Sequence, residues 1–174
     1  DFMCEKVMSY VKNNKLAEFI DVFCEEGVFS PEESRVIMQK GKDMGFKLKI
    51  HADEIIPLQG AELAGEMGAV SAEHLLAASD EGIAAMAKGG VTAILLPGTS
   101  FYLMLRKYAA ARKMMDAGVR VAIATDYNPG TCPTENLQSI MTFACFGMKM
   151  TPEEIIMGMT LNAAYGVDRA AEIG

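Results

Sequence analysis

Strand-length apolar runs alternate with amphipathic helical stretches along this 174-residue chain, and the alternation is that of βα units around a parallel sheet. The runs are AEFIDVF (17–23), FKLKI (46–50), AVSAE (69–73), VTAILL (91–96) and VRVAIAT (119–125). Five such units fit either an open doubly wound sheet or part of a (β/α)8 barrel, which normally takes about 250 residues. Nothing in the chain reads GxGxxG or GxxxxGK[ST], the phosphate-binding fingerprints common among open sheets. The residues at the strand ends must therefore decide between them.

Helix punctuation supports the same division. The pattern predicts a helix over 5–14, then a capping box at Ser30-Pro31-Glu32-Glu33 opening a helix that stops at Gly45. Further helices are expected over 60–67 and 80–88, the latter closing at Gly89 and Gly90. The longest is expected over 101–116, and a final helical region from near Thr134. Thr151-Pro152-Glu153-Glu154 repeats the capping box for one more helix. No linker or repeat interrupts the series, so residues 1–174 read as one domain. It opens at Asp1 without a starting Met and reads as a partial domain, truncated at both ends.

Composition excludes several classes of partner. Phosphate binding needs clustered Lys and Arg, whereas the net charge here is −7 and the basic residues are scattered along the helices. The most apolar strand, VTAILL, is far shorter than the roughly 18 residues of a membrane span. A small-molecule partner is left, with neither nucleic acid nor membrane expected. Cys4, Cys24, Cys132 and Cys145 form no CxxC pair and read as reduced thiols, which with the absence of a signal peptide suggests a cytoplasmic protein. The 14 methionines read as core gap-fillers.

The strand ends carry the chemistry. FKLKI runs into His51-Ala52-Asp53-Glu54, AVSAE into His74, and VRVAIAT into Asp126-Tyr127-Asn128. The chain has only two histidines, and both fall at the carboxyl end of a strand, the edge from which barrel enzymes work. Each residue also has a structural reading: a surface His, a turn-forming Asp, a solvated Glu. Together they suit a metal site, because imidazole and carboxylate ligate zinc or non-haem iron. Such a metal lowers the pKa of a water toward 7. A catalytic zinc usually needs three protein ligands, and His51 with Asp126 supplies two.

KLKIHADE (47–54), SAEHL (71–75), LLPGTSFYL (95–103) and ATDYNPGTCPTEN (124–136) resemble the four most distinctive blocks of the imidazolonepropionase family of amidohydrolases, and FIDVFCEEGVFS (19–30) resembles the strand before them. The match runs through essentially the whole chain in order. It implies an α/β fold, a partial (β/α)8 TIM barrel of the metal-dependent amidohydrolase type, comprising about five βα units, strands four to eight. It also implies His51 and Asp126 as metal ligands for Zn or Fe, with the family's His-x-His ligand pair absent from this sequence. The implied reaction opens the ring of 4-imidazolone-5-propanoate to N-formimino-L-glutamate. By position, Glu54 engages the ring and His74 polarises the scissile carbonyl. Asp126 moves the water's proton, while Asn128, Gly130 and Thr131 contact the substrate's propionate and carbonyl end.

Two other readings compete. Another amidohydrolase, such as a nucleobase deaminase, would share the His and Asp, and only HADE and DYNPGT argue against it. A non-catalytic half-barrel is the second, since the chain by itself lacks ligands and is expected to be inactive alone. Open strand edges and an apolar face would then drive self-association, or a homodimer in the parent protein.

Overall fold

The protein is described by a computed structural model covering residues 2–173. A single π turn, Met3–Val7, runs into α1 (Met8–Asn13). Five strands follow: β1 (Phe19–Cys24), β2 (Lys47–Ala52), β3 (Ser71–His74), β4 (Thr92–Leu95) and β5 (Arg120–Ile123). They form one sheet in the order β1-β2-β3-β4-β5, and every pairing is parallel. Consecutive order with a returning helix between strands is barrel topology rather than the doubly wound alternative. The outer strands β1 and β5 have no further strand partner among the described residues, so the sheet is an open arc.

The helices are α2 (Pro31–Asp43), α3 (Gly60–Met67), α4 (Asp80–Gly89), α5 (Pro97–Tyr102), α6 (Ala111–Asp116), α7 (Leu137–Met148), α8 (Pro152–Met159) and α9 (Leu161–Gly166). Both capping boxes form as the sequence predicts, Ser30 with Glu33 and Thr151 with Glu154. The helix expected over 101–116 does not. Instead α5 ends at Tyr102, Met104 takes a left-handed φ of 53°, and α6 begins only at Ala111. No residue in 103–110 forbids a helix, so the break is tertiary. Phe101 stacks on Phe143 of α7 at 4.0 Å, and Tyr108 packs against Gly147 so closely that a Cβ there would lie 2.5 Å from its ring. α2 is therefore the longest of these helices, with 13 residues. The Thr151 box opens a pair of helices, α8 and α9, rather than one.

Strand alternation separates two faces. Leu48, Ile50 and Ala52 of β2 point to the helices and are buried. Lys47, Lys49 and His51 point to the concave face and are only half buried. Methionines 38, 86 and 114 fill the helix–sheet core with no exposed surface, in keeping with the gap-filling role. α9 closes the amino ends of the strands: Asn162 donates to the Val121 carbonyl at 2.9 Å and Lys49 Nζ to the Gly166 carbonyl at 3.1 Å. Just beyond α9, Asp168 pairs with Lys47 and Arg169 with Glu18, each at 2.7 Å. One rim is thus sealed and the other, carrying the histidines, is left for chemistry. No helix among the described residues is long and apolar enough to cross a membrane.

Small residues set the α3–α4 contact. A Cβ on Gly65 would lie 2.4 Å from the backbone carbonyl of Ala85, and one on Gly89 would lie 2.6 Å from the Gly65 oxygen. Intrinsic propensity favours Ala over Gly in a helix by about 1 kcal/mol, so Gly65→Ala would stabilise if packing allowed it. Because backbone must move, the variant is expected to lose about 1–3 kcal/mol in denaturant unfolding. At the other end of the sheet, Arg112 forks onto Glu154 at 2.8 and 2.6 Å and, with the Thr151 backbone, lowers its carboxyl pKa to about 2. A depressed folded pKa stabilises above the unfolded value of about 4.3 and is lost as pH falls toward the folded one. The melting-temperature gap between wild type and Glu154→Gln is therefore expected at pH 6 and should close as pH is lowered toward 2.

Candidate metal and hydrolytic site

The sequence places His51 just after a strand; in the structure β2 runs two residues further, and His51 is its penultimate residue, paired across the sheet with Phe23 and Glu73. Its Nδ1 lies 3.0 Å from Asp21 Oδ1 of β1. His74 ends β3, and the two imidazoles sit with ring centroids 5.3 Å apart. Glu54 reaches the same place from the loop after β2, its Oε1 3.4 Å from His74 Nδ1. That contact lacks hydrogen-bond geometry, so Nδ1 of His74 is buried without a partner. Asp126 follows β5, and its carboxylate Oδ2 accepts the Thr99 hydroxyl at 2.8 Å. Its charge is felt at His51, His74 and Glu54 alike.

The local backbone explains how the rim is held. Asp53, His74, Leu75 and Asp126 all adopt left-handed φ, at 49°, 71°, 60° and 55°. For non-glycine residues this costs on the order of 1 kcal/mol each and persists only where the surroundings over-determine it. They do. Leu75 N–H donates to the Ala52 carbonyl at 3.1 Å and Ala77 N–H to the Asp53 carbonyl at 2.7 Å, lacing the two loops together. The buried Asp53 carboxylate accepts from Leu58, Gly60 and Ala61 N–H, supplying the cap that Gln59 does not give α3. Buried Glu25 accepts the Ile55 N–H at 2.8 Å. Glu54 is thus pinned by its neighbours on both sides.

Burial and charge set different protonation states. Burial, then repulsion from His51, lowers the His74 pKa to about 4, so it is a neutral imidazole at ordinary pH. His51 is pulled down by burial, but the Asp21 hydrogen bond and charge outweigh that and its pKa is raised. Burial and the nearby Asp126 charge raise the carboxyl of Glu54.

Asp21, His51 and Glu73 bring ligand-type atoms within 4.8 Å of one another, a grouping the sequence reading does not include. Within it Glu73 Oε1 is already bound by Lys49 Nζ at 2.9 Å and by the Ser71 hydroxyl at 2.6 Å. The Lys49 ammonium opposes a cation at that depth. Asp21, Glu25, Asp53 and Thr99 were not singled out from the sequence. The available signal is Asp21, a charge in the middle of the otherwise apolar run FIDVFC. Asn128, Gly130 and Thr131 lie together in the loop after β5, and their donors are taken up within that loop. Gly130 and Thr131 N–H both donate to Asn128 Oδ1 at 2.8 Å, and Asn128 Nδ2 donates to the Asp126 carbonyl and Thr131 Oγ1, each at 2.8 Å.

No family model matches the chain. Against curated proteins it is 61% identical over 173 residues to the imidazolonepropionase of Treponema denticola, covering 99% of this chain and 42% of that protein. The chain is a homologue of imidazolonepropionase. It spans about two-fifths of the length of such relatives. Among solved structures, an amidohydrolase from a Sargasso Sea environmental sample superposes with a TM-score of 0.76 at 17% identity, covering 98% of this chain and 42% of that one. An adenosine deaminase from Xanthomonas campestris with bound zinc gives 0.69 at 16% identity, covering 84% and 38%. At these identities the likeness establishes the fold alone, a section of a (β/α) barrel. The deaminase alternative is not favoured by these sequence relatives.

Replacing Asp53 with Ala removes one acceptor from three backbone N–H groups. The expected cost is about 1–3 kcal/mol in urea unfolding, with Asp53→Asn losing less because its carbonyl oxygen still accepts.

Proposed function

We propose that this chain is the strand-four-to-eight part of a single metal-dependent catalytic barrel that hydrolyses 4-imidazolone-5-propanoate to N-formimino-L-glutamate, with the chain alone inactive. The observation that carries this reading is the 61% identity to an imidazolonepropionase across 173 residues, together with the side chains gathered at one rim. His51 and Asp126 would hold the metal, Zn or Fe, with the remaining ligands supplied from outside this sequence. The donor set fits: one imidazole whose Nδ1 is tied to a carboxylate, leaving Nε2, and one carboxylate whose second oxygen is oriented by a hydroxyl. When bound, the metal would supply an activated water and Lewis acidity at the ring amide.

The other steps fall to this chain's own groups. Neutral His74, with a buried nitrogen lacking any partner, donates a hydrogen bond to the carbonyl oxygen as negative charge develops there. Asp126 takes the attacking water's proton and passes it to the departing ring nitrogen. Glu54, whose carboxyl pKa is raised by burial and the Asp126 charge, engages the ring and assists the movement of that proton. Asn128, Gly130 and Thr131 contact the propionate and carbonyl end through the loop they shape. The open edges of β1 and β5 suit completion by further strands of the same barrel, or else self-association, and the parent protein is read as a cytoplasmic homodimer.

In the full-length protein, Asp126→Ala is expected to abolish turnover of 4-imidazolone-5-propanoate. His74→Ala should lower kcat by about 10²–10³ with a smaller change in KM, as for removal of an oxyanion donor. Near-normal turnover by Asp126→Ala, or hydrolysis of aminated bases in preference to the imidazolone, would overturn the reading.

A further inference from the structure

Asp21 is the one charged side chain of β1, in a strand otherwise composed of Phe, Ile, Val and Cys. Its carboxylate lies 3.0 Å from His51 Nδ1 across the β1–β2 pairing. A carboxylate can only accept, so the ring nitrogen facing it carries the proton, and in the neutral ring Nε2 keeps its lone pair. Phe23, directly opposite His51 in the register, closes on the ring edge-on at 6.1 Å between centroids. The imidazole is therefore fixed in both tautomer and rotation before any ligand arrives. Metal-binding histidines characteristically hand their second N–H to such a group.

We propose that Asp21 is a positioning residue of the site: it holds His51 in the Nδ1-protonated tautomer and presents Nε2 to the metal. This rests on the reading of His51 as a ligand. Asp21 itself stays outside the coordination sphere, since its Oδ1 is committed to the ring and the neighbouring Glu73 is neutralised by Lys49. It is also 39% exposed at the side chain, so its removal leaves no buried cavity and need not unfold the protein.

The test uses the full-length protein loaded with zinc, or with cobalt(II) as a coloured substitute. Wild type, Asp21→Ala, Asp21→Asn and His51→Ala are titrated against a chelator to obtain metal affinity, alongside unfolding of the metal-free proteins. Asp21→Ala is expected to bind metal about 10–100-fold more weakly and to shift the cobalt visible bands, with metal-free stability near that of wild type. Asp21→Asn should recover part of the loss, because its amide oxygen still accepts from Nδ1. Should Asp21→Ala not fold, a measurable loss of affinity in Asp21→Asn carries the same meaning, and wild-type affinity in that variant overturns the proposal. Wild-type affinity and cobalt spectrum in Asp21→Ala overturn it too. So does a second metal equivalent in the wild type that Asp21→Ala alone loses, because Asp21 would then be a ligand. Retention of metal by His51→Ala instead sinks the underlying assignment of His51, and loss in His51→Ala with none in Asp21→Ala sinks only the role of Asp21.

Discussion

Parallel pairing of consecutive strands is the constraint from which the rest of the molecule follows. A parallel neighbour can be reached only by a crossover, so each strand must be followed by a helix that returns the chain to the starting edge. Every carboxyl end then falls on one rim. Asp21, His51, His74 and Asp126 come from four strands or their ends, span more than a hundred residues of chain, and reach one rim because the sheet order is the sequence order. The amino-terminal rim is relieved of any such duty and is sealed by α9 and the ion pairs just beyond it.

Meeting at a rim does not by itself aim a side chain. Here the aiming is done by backbone held in a conformation most residues avoid. Asp53, His74, Leu75 and Asp126 turn sharply at the ends of their strands, and neighbouring loops hold them there through Ala52, Asp53 and Glu25. Carboxylates perform much of this work: Asp53 gathers three N–H groups, Glu25 one from the Glu54 loop, and Asp21 steadies an imidazole. An acidic chain thus spends part of its charge on internal architecture rather than on its surface.

The two histidines illustrate how the same side chain meets different surroundings 5.3 Å apart. His51 has a carboxylate at one nitrogen, which outweighs the cost of burial and fixes its orientation. His74 has burial, a neighbouring imidazole and no acceptor within hydrogen-bonding geometry, and it stays neutral. One arrangement suits a ligand and the other a hydrogen-bond donor to developing charge.

The linear sequence was sufficient for the βα rhythm, the two capping boxes and the location of His51, His74 and Asp126 at strand ends. These depend on local periodicity and on which residues satisfy helix-end N–H groups within three positions. It also carried the family resemblance, which resides in contiguous blocks such as HADE and DYNPGT. What it could not contain was any relation between distant side chains. The helix read through 101–116 breaks because Phe101 and Tyr108 find partners on α7 forty residues later. Asp21 reads as an isolated charge until β1 lies beside β2, and Thr99 as one more small polar residue until α5 meets Asp126. Those roles exist only as distances across the sheet, which strand pairing and packing decide after the local elements have formed.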